Sequence, residues 1–363
     1  ANGGGMYVNA TCTLNNASII QNRATANGGG IYVNGGTLRF QTTASTIGGS
    51  AANANTATGD GGGLYIGSSG AVTFTVNPTI SYNTASGNGG GIYTAKAISP
   101  ASGFTLSNNS AANGGGMYVN ATCTLNNASI IQNRATNNGG GIYLESGILK
   151  FLTAASTIGG SAANANTATG DGGGLYIAGG TCSLSVAQTI SYNTATNGGG
   201  IYMANGTCTT TVAQTISHNT ATGNGGGMVF AGGTLTLTNP LTLSYNKAGN
   251  GGGLYIAATL NIPDSKIVLT ADTATENGGG LYVNAGTTTL NGISITKNKA
   301  TANGGGVYVN GGTLTFATAA STIGGSWANR NTATNGAGIY VAGGTVTTSV
   351  AQTISYNTAT GNG

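Results

Sequence analysis

Residues 80–93 read ISYNTASGNGGGIY, and variants of this stretch recur along the whole chain. The stretch joins an Ile-Ser-x-Asn motif to a glycine triplet that is followed by an apolar residue and a tyrosine. From Tyr7 to Tyr340 is 333 residues in twelve intervals, so the mean repeat is about 28 residues. Val229 replaces the motif tyrosine once. The motif tyrosines are Tyr7, Tyr32, Tyr65, Tyr93, Tyr118, Tyr143, Tyr176, Tyr202, Tyr255, Tyr282, Tyr308 and Tyr340.

This repeat predicts a parallel β-solenoid. Each repeat contains short alternating runs such as Thr-Leu-Thr-Leu-Thr at 234–238, bounded by glycine and asparagine. One repeat of this size cannot bury its own apolar face, whereas stacked repeats can. We therefore expect an all-β fold, a right-handed parallel β-helix of about 13 coils with about 28 residues per coil. Residues 1–363 should form a single continuous solenoid, as a segment of a longer repeat array or a fibre subunit.

Composition and charge exclude several other classes of protein. Glycine makes up 68 of 363 residues and charged residues only 4%, which opposes a helical protein. Apolar residues make up 39%, which is too many for a disordered chain of this kind. The ten Lys and Arg residues are scattered along the sequence, so we expect no nucleic-acid partner. No apolar run approaches the roughly 20 residues of a spanning helix, so we expect no membrane insertion of this segment.

The residues around each motif tyrosine indicate which side of the strand faces the core. Ile31 and Val33 flank Tyr32, and side chains alternate across a strand, so the flanks should face inward and the tyrosine outward. The glycines lack a Cβ and so allow a sharp corner and close packing of coils; Gly62→Val should clash there. The file of tyrosines has two interpretations. Each ring covers glycine backbone and stacks on its neighbour, or the file is a contact strip for sugars, a receptor or another rod.

A second column of residues precedes the glycine triplets by five or six positions. An asparagine amide carries two donors and an acceptor, so this column should cap the turn and bond from coil to coil. Asp272 occupies one position and keeps the acceptors but loses the donors, which predicts a local weak point. The predicted asparagine ladder is Asn22, Asn55, Asn83, Asn109, Asn133, Asn166, Asn193, Asn219, Asn246, Asn298, Asn331 and Asn357.

The four cysteines fall at comparable places in their coils. Cys182 and Cys208 each lie six residues after a motif tyrosine in consecutive coils, so they should be stacked about 5 Å apart. That separation permits a disulfide, with two buried thiols as the alternative. Cys12 and Cys123 lie four coils apart, which is too far for a bridge between them.

Candidate catalytic and metal-binding groups are few. The acids are Asp60, Glu145, Asp171, Asp264, Asp272 and Glu276. Asp60 and Asp171 lie at the same position four coils apart, and Asp272 fills an asparagine position, so no acid pair suits glycoside chemistry. His218 is the single histidine and should be a solvent-facing residue of its column, and one histidine with separated thiols gives no zinc set. We expect no catalytic residues, no metal and no cofactor.

Three coils are longer than the others, at 33, 33 and 32 residues. Each contains Ser-Thr-Ile-Gly-Gly-Ser, at 45–50, 156–161 and 321–326, and Trp327 follows the last of them. We expect these insertions to bulge from the solenoid, either as loop decorations or as recognition loops.

The pairing of the two motifs resembles the repeats of chlamydial polymorphic outer membrane proteins, in which GGA[ILV] is combined with FxxN. The matching residues here are Gly-Gly-Gly-Ile at 28–31 and Ile-Ser-Tyr-Asn at 80–83, and Gly336-Ala337-Gly338-Ile339 comes closest to the first motif. The resemblance spans nearly the whole chain. It implies a surface-displayed β-helical passenger that serves in adhesion or as an envelope structure.

The sequence thus favours an extracellular, cell-surface, non-enzymatic β-solenoid with a structural or adhesive role that forms or belongs to a fibre. Its expected partners are other copies of itself, by end-to-end or lateral assembly, and a glycan or cell-surface receptor. One alternative is an ice- or crystal-surface binder with Thr-x-Thr faces, although Arg39 and Lys150 interrupt such a face. The other alternative is a polysaccharide-cleaving β-helix enzyme.

Overall fold

The computed structural model describes residues 1–100, 103–262 and 266–363. The chain divides into two compact units, unit 1 (Ala1–Thr189) and unit 2 (Ile190–Gly363). Each unit is a parallel β-solenoid, and the predicted fold class is confirmed, with about 13 coils in all. That residues 1–363 form one continuous solenoid stays a prediction.

The strand that carries the motif tyrosine opens each coil, and we call these the tyrosine strands. In unit 1 they are Met6–Val8, Ile31–Val33, Leu64–Ile66, Ile92–Thr94, Met117–Asn120, Ile142–Ser146 and Leu175–Ile177. In unit 2 they are Ile201–Met203, Met228–Phe230, Leu254–Ile256, Leu281–Val283, Val307–Val309 and Ile339–Val341.

The strands that follow are named threonine strands for their outward residues. In unit 1 these are Cys12–Leu14, Thr37–Phe40, Ala71–Phe74, Cys123–Leu125, Ile148–Phe151 and Thr181–Leu184. In unit 2 they are Thr207–Thr210, Thr234–Leu237, Leu260–Ile262, Thr287–Leu290, Thr313–Phe316 and Thr345–Thr348.

A third set, the isoleucine strands, carries the first part of the Ile-Ser-x-Asn motif. In unit 1 they are Ser18–Ile19, Thr46–Gly48, Thr79–Ser81, Thr105–Ser107, Ser129–Ile131 and Thr157–Gly159, and Thr189–Ser191 begins at the last residue of that unit. In unit 2 they are Gln214–Ser217, Leu241–Ser244, Ile267–Thr270, Ser294–Thr296, Thr322–Gly324 and Thr353–Ser355.

Two-residue alanine strands close each coil. In unit 1 they are Arg23–Ala24, Thr56–Ala57, Thr84–Ala85, Ser110–Ala111, Arg134–Ala135 and Thr167–Ala168. In unit 2 they are Thr194–Ala195, Thr220–Ala221, Lys247–Ala248, Thr273–Ala274, Lys299–Ala300, Thr332–Ala333 and Thr358–Ala359. The helices of the described residues are the 3-10 turns Ala51–Asn53, Ala162–Asn164 and Trp327–Asn329. None of these turns has the length or apolar content to cross a membrane.

The core is built from columns of like residues in register. Ile31 pairs with Leu64 and Leu64 with Ile92, and all three are buried, so each apolar side chain lies on the equivalent side chain of the next coil. In unit 1 the rings of Phe40 and Phe74 stack at 5.2 Å between centroids. Burial of an isoleucine or leucine stabilises a fold by about 1.5–3 kcal/mol. The apolar residues that flank the tyrosines therefore account for much of the stability.

Close packing of successive coils explains why the triplet consists of glycines. Gly61 has φ +67°, a left-handed conformation that favours glycine. A Cβ on Gly62 would lie 2.5 Å from the carbonyl oxygen of Gly90 in the next coil. A Cβ on Gly63 would lie 2.9 Å from the side-chain nitrogen, Nδ2, of Asn83. The first glycine thus makes the corner, and the other two let the next coil and the asparagine column approach.

Candidate functional site: stacked side-chain columns

The motif tyrosines form a continuous file in unit 1. The seven rings from Tyr7 to Tyr176 are stacked, with centroid separations of 4.7–5.3 Å. The rings of Tyr65 and Tyr93 are almost parallel, at an angle of 1°. Because each ring lies against its neighbours, the faces of the interior rings are covered, and the file presents ring edges and hydroxyls.

In unit 2 the file is interrupted at Val229 and resumes beyond it. Tyr255, Tyr282, Tyr308 and Tyr340 stack at 4.9–5.4 Å. The sequence predicted that the tyrosine side chains face outward. Two of these side chains are nevertheless mostly covered, since Tyr282 and Tyr308 are each only 9% exposed. Neighbouring rings cover most of their surface.

An ordinary phenol is protonated at neutral pH, and burial makes ionisation of the interior rings harder still. Desolvation, aided by the neighbouring tyrosines, raises the pKa of Tyr65 and Tyr282 to about 12. The hydroxyl of Tyr118 donates to Oε2 of Glu145 at 2.8 Å. The file is therefore a row of neutral hydroxyls that can donate and accept hydrogen bonds.

The asparagine column is a buried hydrogen-bonded ladder in which each side chain joins three coils. Nδ2 of Asn55 donates to Oδ1 of Asn83 in the next coil and to the carbonyl of Ile19 in the previous coil, both at 2.8 Å. Its backbone N–H donates to the same Oδ1 at 3.3 Å. The ladder comprises Asn22, Asn55, Asn83, Asn109, Asn133 and Asn166 in unit 1, and Asn193, Asn219, Asn246, Asp272, Asn298, Asn331 and Asn357 in unit 2.

Asp272 is the defect in this ladder. Its Oδ1 accepts from the backbone N–H and Nδ2 of Asn246 at 2.8 and 3.0 Å. Its Oδ2 is buried and has no hydrogen-bond partner. In the equivalent place, Asn298 donates from Nδ2 to Leu269 and Asn331. Desolvation raises the pKa of Asp272 well above its usual range, although the bonds from Asn246 and, to a smaller extent, a backbone contact with Thr270 oppose the shift.

The combination of a ladder asparagine and a glycine corner recurs in two segments that match a known repeat. The Chlamydia polymorphic membrane protein repeat matches residues 79–95 and 127–145. The resemblance to this family is confirmed. Each matched segment runs from an isoleucine strand through a ladder asparagine and a glycine triplet to a motif tyrosine. No curated protein and no solved structure matches the chain significantly.

The structure also contains a second polar column that the sequence analysis missed. It lies immediately before the glycine triplets. Asn27 accepts from the backbone N–H of Asp60 at 2.8 Å, and Asp60 accepts from that of Asn88 at 2.7 Å. In unit 2, Nδ2 of Asn303 donates to Asn277 at 2.9 Å. The signal was present in the sequence, since an Asn or Asp directly precedes every one of the triplets.

The acidic residues that the structure describes lie in separate columns, where they make hydrogen bonds to neighbouring coils, and they do not cluster in a cleft. Asp60 and Asp171 lie in the second column, where the N–H of Asp171 donates to Asn138 at 2.8 Å. Glu276 accepts from Nδ2 of Asn250 at 3.0 Å, and Asp272 is sealed from solvent. Asp264 lies outside the described residues. In the part of the chain that the structure describes, no three His, Cys, Asp or Glu side chains form a metal-ligand group.

The cysteines are core residues. Cys182 is in register with Leu149, and Cys208 with Leu235, and both cysteines are buried. The Cys182–Cys208 disulfide stays a prediction, which mass spectrometry of non-reduced peptides tests. Cys123 is a free thiol whose pKa is raised by burial, so it is protonated at neutral pH.

The threonine strands of unit 2 present a regular outward array. Two columns run through three successive strands, and the residues between them face the core. The columns are Thr287, Thr313 and Thr345, and Thr289, Thr315 and Thr347. In unit 1, Arg39 interrupts the equivalent face between Thr13 and Thr73, and Lys150 is in register with Thr124, as the sequence indicated.

The insertions of the long coils end in exposed 3-10 turns. None of the residues in these turns is buried, so they project from the coil as expected. Trp327 is 63% exposed, and the guanidinium of Arg330 lies over its ring at 4.1 Å. His218 was expected to be a solvent-facing residue, and it is exposed, but it also stacks between Tyr192 and Tyr245 at 4.8 and 5.0 Å.

Proposed function

We propose that this chain is a surface-displayed, non-enzymatic β-solenoid with a structural and adhesive role. The polymorphic membrane protein repeat implies association with an outer membrane or cell surface and a generally non-enzymatic family. The observation that carries the proposal is the repetition of the same outward side chain from coil to coil, above all in the tyrosine file. A stiff surface that repeats one small contact suits binding to a partner that is itself repetitive.

The tyrosine file supplies the contacts for this role. Each hydroxyl contributes a weak hydrogen bond, and successive hydroxyls are separated by about 4.8 Å, the spacing of neighbouring strands. Several weak contacts made at once give an avidity far above that of any single contact. The partner of this file is a glycan, a cell-surface receptor or another copy of the chain, and lateral or end-to-end assembly of copies would produce the fibre.

The proposal is tested by measuring how well beads coated with the purified chain adhere to cultured cells. The test variant replaces Tyr65, Tyr93 and Tyr118 with Val, which already occupies this column at Val229. A second variant replaces the same three residues with Phe, which preserves the stacked rings and removes the hydroxyls. We expect the Val variant to lose most adhesion while its circular dichroism is unchanged.

We expect the Phe variant to lose adhesion as well, because the hydroxyls supply the contacts, and full adhesion by this variant would assign the contacts to the ring edges instead. Full adhesion by a folded Val variant would contradict the role of the tyrosine file. Absence of the native chain from the cell surface, measured by antibody labelling of intact cells, would contradict surface display. Electron microscopy of native material tests the fibre, since isolated short rods without filaments would refute assembly.

The threonine array of unit 2 favours ice- or crystal-surface binding as a second candidate. Residues two apart on a strand are separated by about 6.6 Å and neighbouring strands by about 4.8 Å, so the array is a regular grid of hydroxyls and methyl groups. Thermal hysteresis of the purified chain tests this function. We expect a Thr315→Lys substitution at the centre to abolish hysteresis if the array binds ice, and absence of hysteresis in the unaltered chain excludes it.

A further inference from the structure

Three lysines that are dispersed in the sequence meet on one surface of unit 2. Lys247 and Lys299 occupy the outward position of alanine strands, where both are in register with Thr273 of the strand between them. Lys297 lies two residues before Lys299, on the other side of the buried ladder residue Asn298. All three lysines are exposed. These residues are scattered along the sequence, but the register of the coils brings them to one surface.

The coil between the lysines carries the short residues Ala271 and Thr273, and we call the gap that they leave between the longer side chains the lysine notch. Tyr245 and Lys247 stand on one side, and Lys297 and Lys299 stand on the other. Between them lies the segment Ala271–Thr273 of the central coil. Ala271 has φ +59°, and the residues at the same position in the neighbouring coils have similar positive φ angles. Lys247 and Lys299 are two strands apart, about 10 Å at the backbone. Long flexible lysine side chains at that spacing can converge on one anionic group between them.

The surroundings leave this lysine notch positively charged. Asp272 lies in this segment, but it is buried in the ladder and its carboxyl oxygens face inward contacts. Glu276, the other acid among the described residues of unit 2, lies beyond Thr273 and accepts from Asn250. Burial also favours the neutral form of Asp272. The notch therefore presents three ammonium groups and the hydroxyls of Thr273 and Tyr245.

We propose that the lysine notch binds the sulfate groups of a sulfated polysaccharide. Ammonium groups are point charges with several donors and suit tetrahedral oxyanions, whereas planar carboxylates are matched best by the fork of arginine, which is absent from the notch. Tyr245 adds a hydroxyl at the rim that can bond sugar oxygens. The proposal rests on the adhesive role proposed above and gives it a partner class and a second surface, separate from the tyrosine file.

The aromatic neighbours of the notch favour a polysaccharide over a nucleic acid. Single-stranded nucleic acids bind by stacking bases on open aromatic faces. Here Tyr192, His218 and Tyr245 are stacked on one another, so the faces between them are occupied. Tyr245 ends this stack, is 60% exposed and is followed in its column by Ala271, so it offers the notch one open face besides its edge and hydroxyl. One open face can contact a sugar ring, whereas a nucleic-acid strand stacks successive bases on several rings.

The binding of fluorescent heparin oligosaccharides to the purified full chain tests the proposal. The notch variant is Lys247→Thr, Lys297→Gln and Lys299→Thr. Each replacement copies a residue that the same column carries in another coil, such as Thr220 or Gln132. The control variant, Arg39→Thr, Lys96→Thr and Lys150→Thr, removes the same charge from other surfaces.

We expect heparin to bind the unaltered chain and the control with affinities within about threefold. Loss of one close charge pair in water weakens binding about fivefold, so the notch variant should bind about 100-fold more weakly. Desulfated heparin, which keeps its carboxylates, should bind about as weakly as that variant.

Several outcomes would overturn the assignment: absence of heparin binding, equal losses in notch and control variants, equal binding of desulfated heparin, or tighter notch-dependent binding of oligo(dT). Circular dichroism of both variants verifies that they are folded. Failure of this test leaves adhesion through the tyrosine file and surface display intact, because bead adhesion and antibody labelling measure those separately.

Discussion

The substitution Asp272→Asn should stabilise the protein, because it repairs the defect in the ladder. An amide at this position supplies the two N–H donors that the carboxylate lacks. By the register of the neighbouring coils, these would donate to the carbonyl of Leu243 and to Oδ1 of Asn298, as Asn298 itself donates to Leu269 and Asn331. A hydrogen bond contributes about 1 kcal/mol net. The protonated acid can make one of these two bonds, so at low pH the substitution gains about 1 kcal/mol.

The gain should grow with pH. Burial raises the pKa of Asp272, so the folded chain binds the proton more tightly than the unfolded chain, in which the pKa is about 3.9. The contribution of the protonated acid to stability is complete below pH of about 3.9 and decreases as pH rises towards the folded-state pKa. The slope over that interval is about 1.4 kcal/mol per pH unit. The asparagine variant does not titrate, so its advantage widens by that amount per unit.

Urea denaturation at pH 4, 5, 6 and 7, followed by circular dichroism, measures this difference. The matched control is Asn109→Asp, which introduces the same defect into the ladder of unit 1 and should create the same pH-dependent loss. A free-energy gap between Asp272→Asn and the unaltered chain that stays constant from pH 4 to 7 would refute the argument. A variant less stable than the unaltered chain at pH 7 would also refute it.

Two further substitutions test the packing of the coils. Gly62→Val should destabilise unit 1 by about 3 kcal/mol or more in urea denaturation, since its Cβ would lie 2.5 Å from the carbonyl oxygen of Gly90. Gly35→Ala is the mild control, and equal effects of the two would contradict the packing described. Val229→Tyr should complete the tyrosine file of unit 2 and raise stability by about 1–2 kcal/mol through two new ring stacks. An unchanged melting temperature would refute that expectation.

The sequence was sufficient to predict the fold because each structural requirement is written once per coil. The glycine corner and the apolar flanks of the tyrosine recur at a nearly constant spacing. Because strands in register stack equivalent repeat positions on one another, residues that align between repeats are the residues that form a column in the structure. The ladder residues Asn55 and Asn83 were found in this way, and so was the irregular position Asp272.

Features that depend on backbone conformation could not be predicted in the same way. The residue between Ser and Asn in the Ile-Ser-x-Asn motif has positive φ in many coils, as at Tyr82 (φ +60°) and His218 (φ +57°). Such a conformation is unfavourable for residues other than glycine and arises here because the ladder and strand register impose it. Sequence composition at this position, which includes Tyr, His, Gln and Lys, gives no sign of it.

The lysine notch was missed for a different reason. Lys247, Lys297 and Lys299 are separated by up to 52 residues in the sequence, and counting charges along the chain made them look dispersed. Each lysine is adjacent to a ladder asparagine, Lys297 directly before one and Lys247 and Lys299 directly after one, and this placement indicates that they share a surface. The shared surface becomes apparent only when the coils are superimposed.

Distances between spin labels in unit 1 test the central claim, that coils stack in register with one strand spacing per repeat. Cysteines would replace Tyr7, Tyr32, Tyr143 and Tyr176 in pairs, in a background with Cys12→Thr. At about 4.8 Å per coil, backbone separations should be about 19 Å for 32/143, 24 Å for 32/176 and 29 Å for 7/176. Distances that increase linearly with the number of coils would agree with the stacked solenoid, and distances that do not increase with coil number would contradict it.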